Sequence, residues 1–212
     1  MSLETIYDAV LNGKMKEAKV VTQAAVDAGV AAGDILHKAC IPAMTEVGRQ
    51  FEIGERFVPE MLIAARTMSG ALEILRPLLI EEEVETVGKV VIGTVVGDLH
   101  DIGKNLVAMM LEGAGFEIID LGNDVSPEKF VAAIEEHKPD VVCMSTLLTT
   151  TMASISKTMD ALYRAEIRDE VKVVIGGAPV TQEFADKVKA DGFAADAGSA
   201  PRVVKALLGI SG

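Results

Sequence analysis

The sequence predicts an all-α domain followed by an α/β domain with a parallel sheet, and three observations favour this organisation. Up to about residue 86, apolar residues recur at the three- and four-residue spacing of amphipathic helices. From Gly88 onward, short β-branched runs alternate with helical segments, which is typical of βαβ units. The acidic stretch from Glu81 to Glu85 lacks a core pattern and is interpreted as the linker. We therefore expect one domain over residues 1–86 and a second over residues 87–212.

Four helices are predicted in the first domain. The first two span Leu3–Leu11 and Met15–Ala28, and each is followed by a glycine suited to a left-handed C-cap. The third begins after an N-cap at Asp34 and contains Pro42, which predicts a kink. The fourth extends from Pro59 to Pro77. Because the connections are short, neighbouring helices are expected to be antiparallel, and this predicts a four-helix bundle.

Five strands, each followed by a helix, are predicted in the second domain. They cover residues 89–96, 116–120, 140–145, 172–175 and 193–196. Strands connected in this way form a five-stranded parallel sheet with helices on both faces and ligands at the carboxyl ends of the strands. In the flavodoxin-like variant of this Rossmann-like fold, the switch point lies between the first and third strands. The loops after those strands, Gly97–Asn105 and Ser145–Thr151, are therefore expected to carry the function.

Charge and N-terminal composition limit the partners and the compartment. The net charge of -12 creates a field that repels phosphodiesters and anionic lipids, so neither nucleic acid nor a membrane surface is expected as a partner. The first residues show no basic segment and no long apolar run, which predicts a cytoplasmic protein without a signal peptide. Cys40 and Cys143 each lie in an apolar segment, which favours buried free thiols over a disulfide or a metal pair.

The loop after the first strand does not suit two common ligands of this fold. It lacks GxGxxG, and its carboxylates, Asp98 and Asp101, would repel a pyrophosphate. A receiver domain would carry its aspartate at the end of the third strand, where Ser145 stands. A ligand role for His100 remains, although a lone loop histidine is usually incidental. Asp98 can accept a hydrogen bond from one ring nitrogen while the other binds a metal, and one such ligand suffices when a macrocycle already holds that metal.

The glycines near these loops and the two other histidines have either a functional or a purely structural interpretation. Gly103 begins the helix after the first strand and Gly176-Gly177 follows the fourth, so these positions can leave room for a long ligand, with simple turn formation as the alternative. His37 and His137 are interpreted as surface or half-buried histidines without a ligand role.

Three short motifs carry a resemblance to a known family. They are Asp98-Leu99-His100-Asp101-Ile102-Gly103, Ser145-Thr146-Leu147 and Gly176-Gly177. In this order and on these elements they match the pattern DxHxxG, SxL and GG. The sequence thus resembles the corrinoid-binding module of cobalamin-dependent methionine synthase and the small corrinoid proteins of methyltransferase systems.

The resemblance implies cobalamin or a related corrinoid as the cofactor. His100 would replace the benzimidazole as the lower axial ligand of cobalt, and Asp98 would orient it. A serine completes the proton relay in methionine synthase, and Thr151 occupies that position here. The pocket of the displaced nucleotide tail would be lined by Ser145, Leu147 and Thr149. The other residues expected at the cofactor are Asp101, Ile102, Gly103, Gly176 and Gly177.

The helical half resembles the cap domain of the same family, including the segment from Phe57 to Met68. By this resemblance, Phe57 would lie over the upper face of the corrinoid and shield the methyl group. Met61 and Met68 lie near it at helical spacing and are interpreted as core residues.

The implied function is that of a methyl carrier without an autonomous activity. One methyltransferase would load it from a donor such as a methyl ether, methanol, a methylamine or a betaine, and a second would unload it to tetrahydrofolate or a thiol. A reductive activase is a further expected partner. Two alternatives were weighed, a corrinoid-dependent sensor, which usually adds a DNA-binding segment, and the small subunit of a carbon-skeleton mutase, which lacks the helical half.

Overall fold

The structure is a computed structural model that describes residues 2–210. Within these residues the chain forms two compact units. The first takes in the residues up to Val87 together with Glu112–Gly115, and the second comprises Gly88–Leu111 and the residues from Phe116 onward. The expected boundary between residues 86 and 87 stays a prediction.

The first unit is all-α, as predicted. Its elements are α1 (Leu3–Leu11), α2 (Met15–Asp27), α3 (Ala32–Ile35), a π-helical turn (Leu36–Cys40), α4 (Ile41–Glu52) and α5 (Val58–Glu81). Each helix buries one apolar face, and Met61 and Met68 are both 1% exposed, so they are core residues as expected. Gly13 follows α1 with a φ of 67°, a conformation that a left-handed helix end requires.

The third predicted helix begins earlier than expected and contains a π-helical turn. Asp34 is not its N-cap, because the helix already begins at Ala32. The N–H of Ile41 donates to the carbonyl of Leu36, five residues back, directly before Pro42. Proline has no N–H for the usual bond to the residue four positions earlier, and the wider turn accommodates this gap.

One prediction about the end of α5 was wrong. The helix passes Pro77 and ends at Glu81, because a proline removes a single N–H and the following turns still find acceptors, for example Leu78 for the N–H of Glu82 at 2.8 Å. The role of Glu81 to Glu85 as the linker stays a prediction, and this stretch also makes contacts with the start of α3. The Glu82 carboxylate accepts hydrogen bonds from the N–H groups of Ala32, at 2.9 Å, and Gly33, at 3.0 Å. Glu82 therefore supplies the hydrogen-bond acceptor at the start of α3, a role for which the sequence favours Asp34.

The second unit is the predicted five-stranded parallel sheet with helices. Its elements are β1 (Lys89–Thr94), α6 (Ile102–Gly113), β2 (Glu117–Asp120), α7 (Pro127–His137), β3 (Val141–Ser145), α8 (Met152–Arg164), a 3-10 turn (Arg168–Glu170), β4 (Lys172–Gly176), α9 (Gln182–Val188), β5 (Gly192–Ala194) and α10 (Ala200–Leu207). The strand order is β2-β1-β3-β4-β5, and all pairs are parallel. This confirms the flavodoxin-like order and places the switch point between β1 and β3.

The strand register brings the functional loops to one edge of the sheet. Thr94 at the end of β1 is paired with Ser145 at the end of β3, and Ser145 is paired with Gly176 at the end of β4. The loops that follow these strands therefore leave the sheet side by side. The strands themselves are buried, with Val91, Val142 and Val173 all at 0% exposure.

The remaining two features are the state of the cysteines and the apolar length of the helices. Cys40 and Cys143 are both buried and both free, as predicted. Among the helices of residues 2–210, none combines the length and the apolar composition needed to cross a membrane.

Candidate functional site

The loop after β1 is held in place by hydrogen bonds to its backbone groups. The buried hydroxyl of Thr94 donates to the carbonyl of His100 at 3.0 Å. The N–H of Asp98 donates to the carbonyl of Val95 at 3.1 Å. Gly97 has a φ of 85°, and its N–H donates to Asp124 Oδ1 at 2.8 Å. This loop therefore presents His100 from a fixed backbone.

Asp98 fixes the orientation of the His100 ring. Oδ1 of Asp98 accepts the backbone N–H of His100 at 3.0 Å and lies 2.7 Å from His100 Nδ1. A neutral imidazole that donates from Nδ1 leaves a lone pair on Nε2. The His100 side chain is 53% exposed, whereas Asp98 is fully buried. The pair therefore offers one nitrogen as an outward-facing metal ligand, oriented by a buried carboxylate.

The second oxygen of Asp98 is held by the loop after β3. Oδ2 accepts the N–H groups of Leu147, at 2.7 Å, and Leu148, at 3.3 Å. It also lies 3.0 Å from the hydroxyl of Thr151 and 3.2 Å from that of Thr146. The expected partner Thr151 is thus brought to Asp98, although the two residues are 53 positions apart in the sequence.

These hydrogen bonds determine the charge of Asp98. Burial by itself would raise the pKa of this carboxyl group. The hydrogen bonds from the Leu147 and His100 amides, the His100 ring and the Thr151 hydroxyl outweigh burial and hold the pKa of Asp98 well below its usual range. At neutral pH the His100 ring therefore faces a carboxylate, which favours the proton on Nδ1.

Thr146 is the residue that sequence analysis missed. It is fully buried, and its hydroxyl lies 2.6 Å from that of Thr151. It occupies the variable position of the Ser145-Thr146-Leu147 motif, so the resemblance drew attention to its neighbours instead. The available signal was a hydroxyl residue at the end of a strand in the same loop as Thr151.

The glycines expected at the cofactor differ in their surroundings. A Cβ added at Gly103 would meet no atom within 4 Å, so the start of α6 is open. Gly177 has a φ of 119°, and a Cβ there would lie 1.8 Å from the carbonyl oxygen of Thr146. A Cβ at Gly176 would lie 2.9 Å from the carbonyl oxygen of Ala194. The two later glycines thus permit the close approach of neighbouring loops, and their contact with a cofactor stays a prediction.

Four apolar side chains in the segments after β1 and β3, near Asp98 and His100, are exposed. Leu99 is 70% exposed and Ile102 is 77% exposed, on either side of His100 in the chain. Leu147 is 44% exposed and Leu148 is 40% exposed, and the amides of both residues bond the carboxylate that orients His100. Such side chains beside an exposed imidazole suit a ligand with an extended apolar face.

The other expected site residues differ in their exposure and in the unit to which they belong. Asp101 and Ser145 are half-buried, and Thr149 is exposed. Phe57 belongs to the helical unit, where it is 67% exposed at the start of α5. Within residues 2–210, no group of three or more His, Cys, Asp or Glu side chains is arranged to hold a bare metal ion. A metal bound at His100 would therefore need most of its ligands from elsewhere.

Comparison with known protein families decides among the possible ligands. The model of the B12 binding domain matches residues 88–208, which include the whole site. The chain belongs to the B12-binding family. A second model, also described as a B12 binding domain, matches residues 2–76 of this B12-binding protein and so covers most of its helical unit.

Relatives of this B12-binding protein are corrinoid proteins. It is 41% identical to trimethylamine corrinoid protein 1 of Methanosarcina acetivorans over 203 residues, which are 95% of this chain and 94% of that relative. A solved cobalamin-binding protein from Desulfitobacterium hafniense matches with a TM-score of 0.82 and 32% identity over 98% of both chains. A chain in the methanol:cobalamin methyltransferase complex of Methanosarcina barkeri matches with a TM-score of 0.85 and 30% identity, over 99% of this chain and 80% of that chain.

Proposed function

We propose that this chain is a corrinoid protein that carries a methyl group between two methyltransferases. The observation that supports this most directly is the Asp98–His100 pair. Its outward nitrogen is free, its other nitrogen is 2.7 Å from a buried carboxylate, and both residues lie inside a B12 binding domain. When bound, a corrinoid would supply a cobalt ion that can accept and release a methyl group.

The residues of the site fit this cofactor. His100 would be the lower axial ligand through Nε2, since Nδ1 is engaged by Asp98. The open space at Gly103 admits the cofactor beside the start of α6. The exposed side chains of Leu99 and Ile102 would cover part of the apolar face of the macrocycle. The donor set and the surrounding surface are therefore both suited to a corrinoid.

The remaining site residues have proposed roles that follow the family pattern. Thr151 would serve as the hydroxyl partner of Asp98, which its 3.0 Å distance supports. The tail of the corrinoid would be contacted by Ser145, Leu147, Thr149, Gly176 and Gly177. Asp101 would lie beside the lower ligand.

The proposed methyl donor is a methylated amine. The 41% identity to a trimethylamine corrinoid protein supports this choice over methanol, whose complex contains a chain that is 30% identical. A donor-side methyltransferase follows from this assignment. An acceptor-side methyltransferase and a reductive activase are proposed by analogy with the family, since every methyl carrier must also be unloaded and kept reduced.

A spectroscopic experiment tests the proposed lower ligand. Protein labelled with 15N in its histidines is reconstituted with cobalamin, which is then reduced to the paramagnetic cobalt(II) state. If His100 is the ligand, the electron paramagnetic resonance spectrum shows a doublet splitting from one 15N nucleus in place of the triplet from 14N. His100→Ala should lose the doublet.

His137→Ala is the matched control, because His137 lies at the end of α7 and should keep the wild-type spectrum. A triplet that persists in the labelled wild-type protein would show that the benzimidazole remains on cobalt. That result would remove the proposed role of His100, while failure of the wild-type protein to retain any corrinoid would remove the proposed function itself.

A further inference from the structure

The number of donors around one oxygen of Asp98 exceeds what that oxygen can accept. The amides of Leu147 and Leu148 lie 2.7 Å and 3.3 Å from Oδ2. The hydroxyls of Thr151 and Thr146 lie 3.0 Å and 3.2 Å from it. A carboxylate oxygen offers about two acceptor positions. The Leu147 amide makes the shortest contact and holds one position, and the Leu148 amide makes the longest and weakest, so at most one threonine hydroxyl donates to Oδ2 at a time.

The two hydroxyls can share this position because each has a second acceptor. In one arrangement Thr151 donates to Asp98 and Thr146 donates to the oxygen of Thr151, which is 2.6 Å away. In the other, Thr146 donates to Asp98 and Thr151 donates to the carbonyl of Leu148 at 2.9 Å. Both arrangements leave every hydroxyl hydrogen bonded, so a rotation of the two hydroxyls converts one into the other.

We propose that Thr146 is a second positioning residue for the Asp98–His100 pair, interchangeable with Thr151. This inference deepens the proposed function, since it rests on the role of His100 as ligand. It differs from the single-hydroxyl relay that the resemblance implies. Both side chains are buried, at 0% for Thr146 and 7% for Thr151, so water cannot easily replace a missing hydroxyl.

Thr146 and Thr151 are therefore redundant as hydroxyl donors to Asp98. When either hydroxyl is lost, the other can still donate to Oδ2, and the carboxylate keeps its orientation toward His100. When both are lost, one acceptor position of a buried carboxylate has no hydroxyl donor, and a hydrogen bond to a charged group disappears. The Asp98 carboxylate then turns toward its remaining donors, and its hold on the ring weakens.

The test uses the protein without corrinoid and measures the tautomer of the His100 ring. Valine replaces threonine in Thr146→Val, Thr151→Val and the double variant, because valine keeps the branched shape and removes the hydroxyl. 15N nuclear magnetic resonance is recorded at a pH where the ring is neutral. The wild-type protein should hold the proton on Nδ1. Each single variant should keep this tautomer, and the double variant should shift the ratio toward Nε2–H by about tenfold, the size expected for a hydrogen bond to a charged group.

Serine variants provide the matched controls. Thr146→Ser/Thr151→Ser restores both hydroxyls and should return the wild-type ratio, which separates the hydroxyls from a general packing effect. If the valine double variant does not fold, Thr146→Ser/Thr151→Val and Thr146→Val/Thr151→Ser replace it, and each should keep the wild-type tautomer.

Three results would overturn the proposal. These are a Thr151→Val variant that shifts as much as the double variant, a Thr146→Val variant that does so, and a double variant with the wild-type ratio. If the mixed serine–valine variants are used, a shift of the His100 tautomer ratio in either of them would also overturn the proposal. None of these results bears on the proposed function, which the spectrum of the corrinoid-loaded wild-type protein tests separately.

Discussion

At the scale of single residues, the carboxylate of Asp98 depends on donors from two loops. One oxygen accepts the amide and the ring of His100, and the other accepts the amide of Leu147 and a threonine hydroxyl. A buried charge without such donors would be costly, because it would lose the solvation by water without any replacement. The position of the His100 ring is therefore set by the residues that hold the Asp98 carboxylate.

The two cysteines give a prediction at the same scale. Burial raises the pKa of both Cys40 and Cys143 to about 12. An exposed thiol has a pKa of about 8.5 and would be mostly thiolate at pH 9, whereas these two remain protonated. Both should therefore resist iodoacetamide in the native protein at pH 9 and react at once in denaturant, as peptide mass spectrometry will show.

The burial of the two thiols also makes the stability of the protein depend on pH. The folded-state pKa of each thiol is raised above the unfolded value, so its contribution to stability is full below about pH 8.5 and is lost as the pH rises toward 12. Alanine at both positions removes this contribution and serves as the control. Rapid alkylation of either thiol in the native protein would contradict its burial.

At the scale of elements, the start of α3 depends on a residue far away in the sequence. The Glu82 carboxylate accepts the amides of Ala32 and Gly33, 50 and 49 residues earlier. Glu82→Ala should therefore reduce the free energy of unfolding by about 1 kcal/mol, the usual effect of losing an N-cap acceptor. Glu82→Gln should lose less, because the amide oxygen still accepts one hydrogen bond.

Urea unfolding measures these changes, and Glu83→Ala is the control, since the two amides donate to Glu82 and not to its neighbour. Glu83 has a φ of 51°, so Glu83→Gly is a second control that is compatible with the backbone. Equal stability of Glu82→Ala and the wild-type protein would show that water caps α3 equally well.

Local patterns were sufficient to predict most elements of the second unit. The strands predicted to start at residues 89 and 172 are β1 and β4, which begin at Lys89 and Lys172. Both have a strong local signal, a β-branched run. The start of α3 was missed because its acceptor is non-local, and the end of α5 was misplaced because a single proline was given too much weight.

The site itself was predictable only in part. The proximity of Asp98 and His100 follows from their two-residue spacing, so the sequence alone indicates it. The approach of Thr151 follows from the pairing of β1 with β3 and was expected from the resemblance. The involvement of Thr146 could not be deduced, because it depends on how the loop after β3 turns its side chains. Such turns are set by packing rather than by periodicity.

At the scale of the molecule, the second unit has its own core. Its buried residues come from the sheet and from α7, α8 and α9, among them Val142, Phe130, Ile155 and Ala185. A fragment of residues 87–212 should therefore fold cooperatively and bind corrinoid. Thermal unfolding followed by circular dichroism and the absorption spectrum of bound cobalamin are the measurements.

One segment of this fragment is expected to behave differently. Residues 112–115 group with the first unit, so the end of α6 should exchange its amide hydrogens faster in the fragment than in the full chain. The full chain is the control for both measurements. A fragment with native-like circular dichroism that fails to bind cobalamin would show that the helical unit supplies part of the binding energy.

The contacts of Asp98 also bear on the order in which the protein assembles. Its partners Thr146 and Thr151 lie 48 and 53 residues further along the chain, beyond β2 and α7. Pairs so distant in sequence form late, because the intervening chain must first lose the entropy of an open loop. During synthesis on the ribosome, His100 emerges long before the loop that steadies Asp98 exists. In a growing chain, Asp98 therefore lacks its donors from the loop after β3 until β1 and β3 have paired.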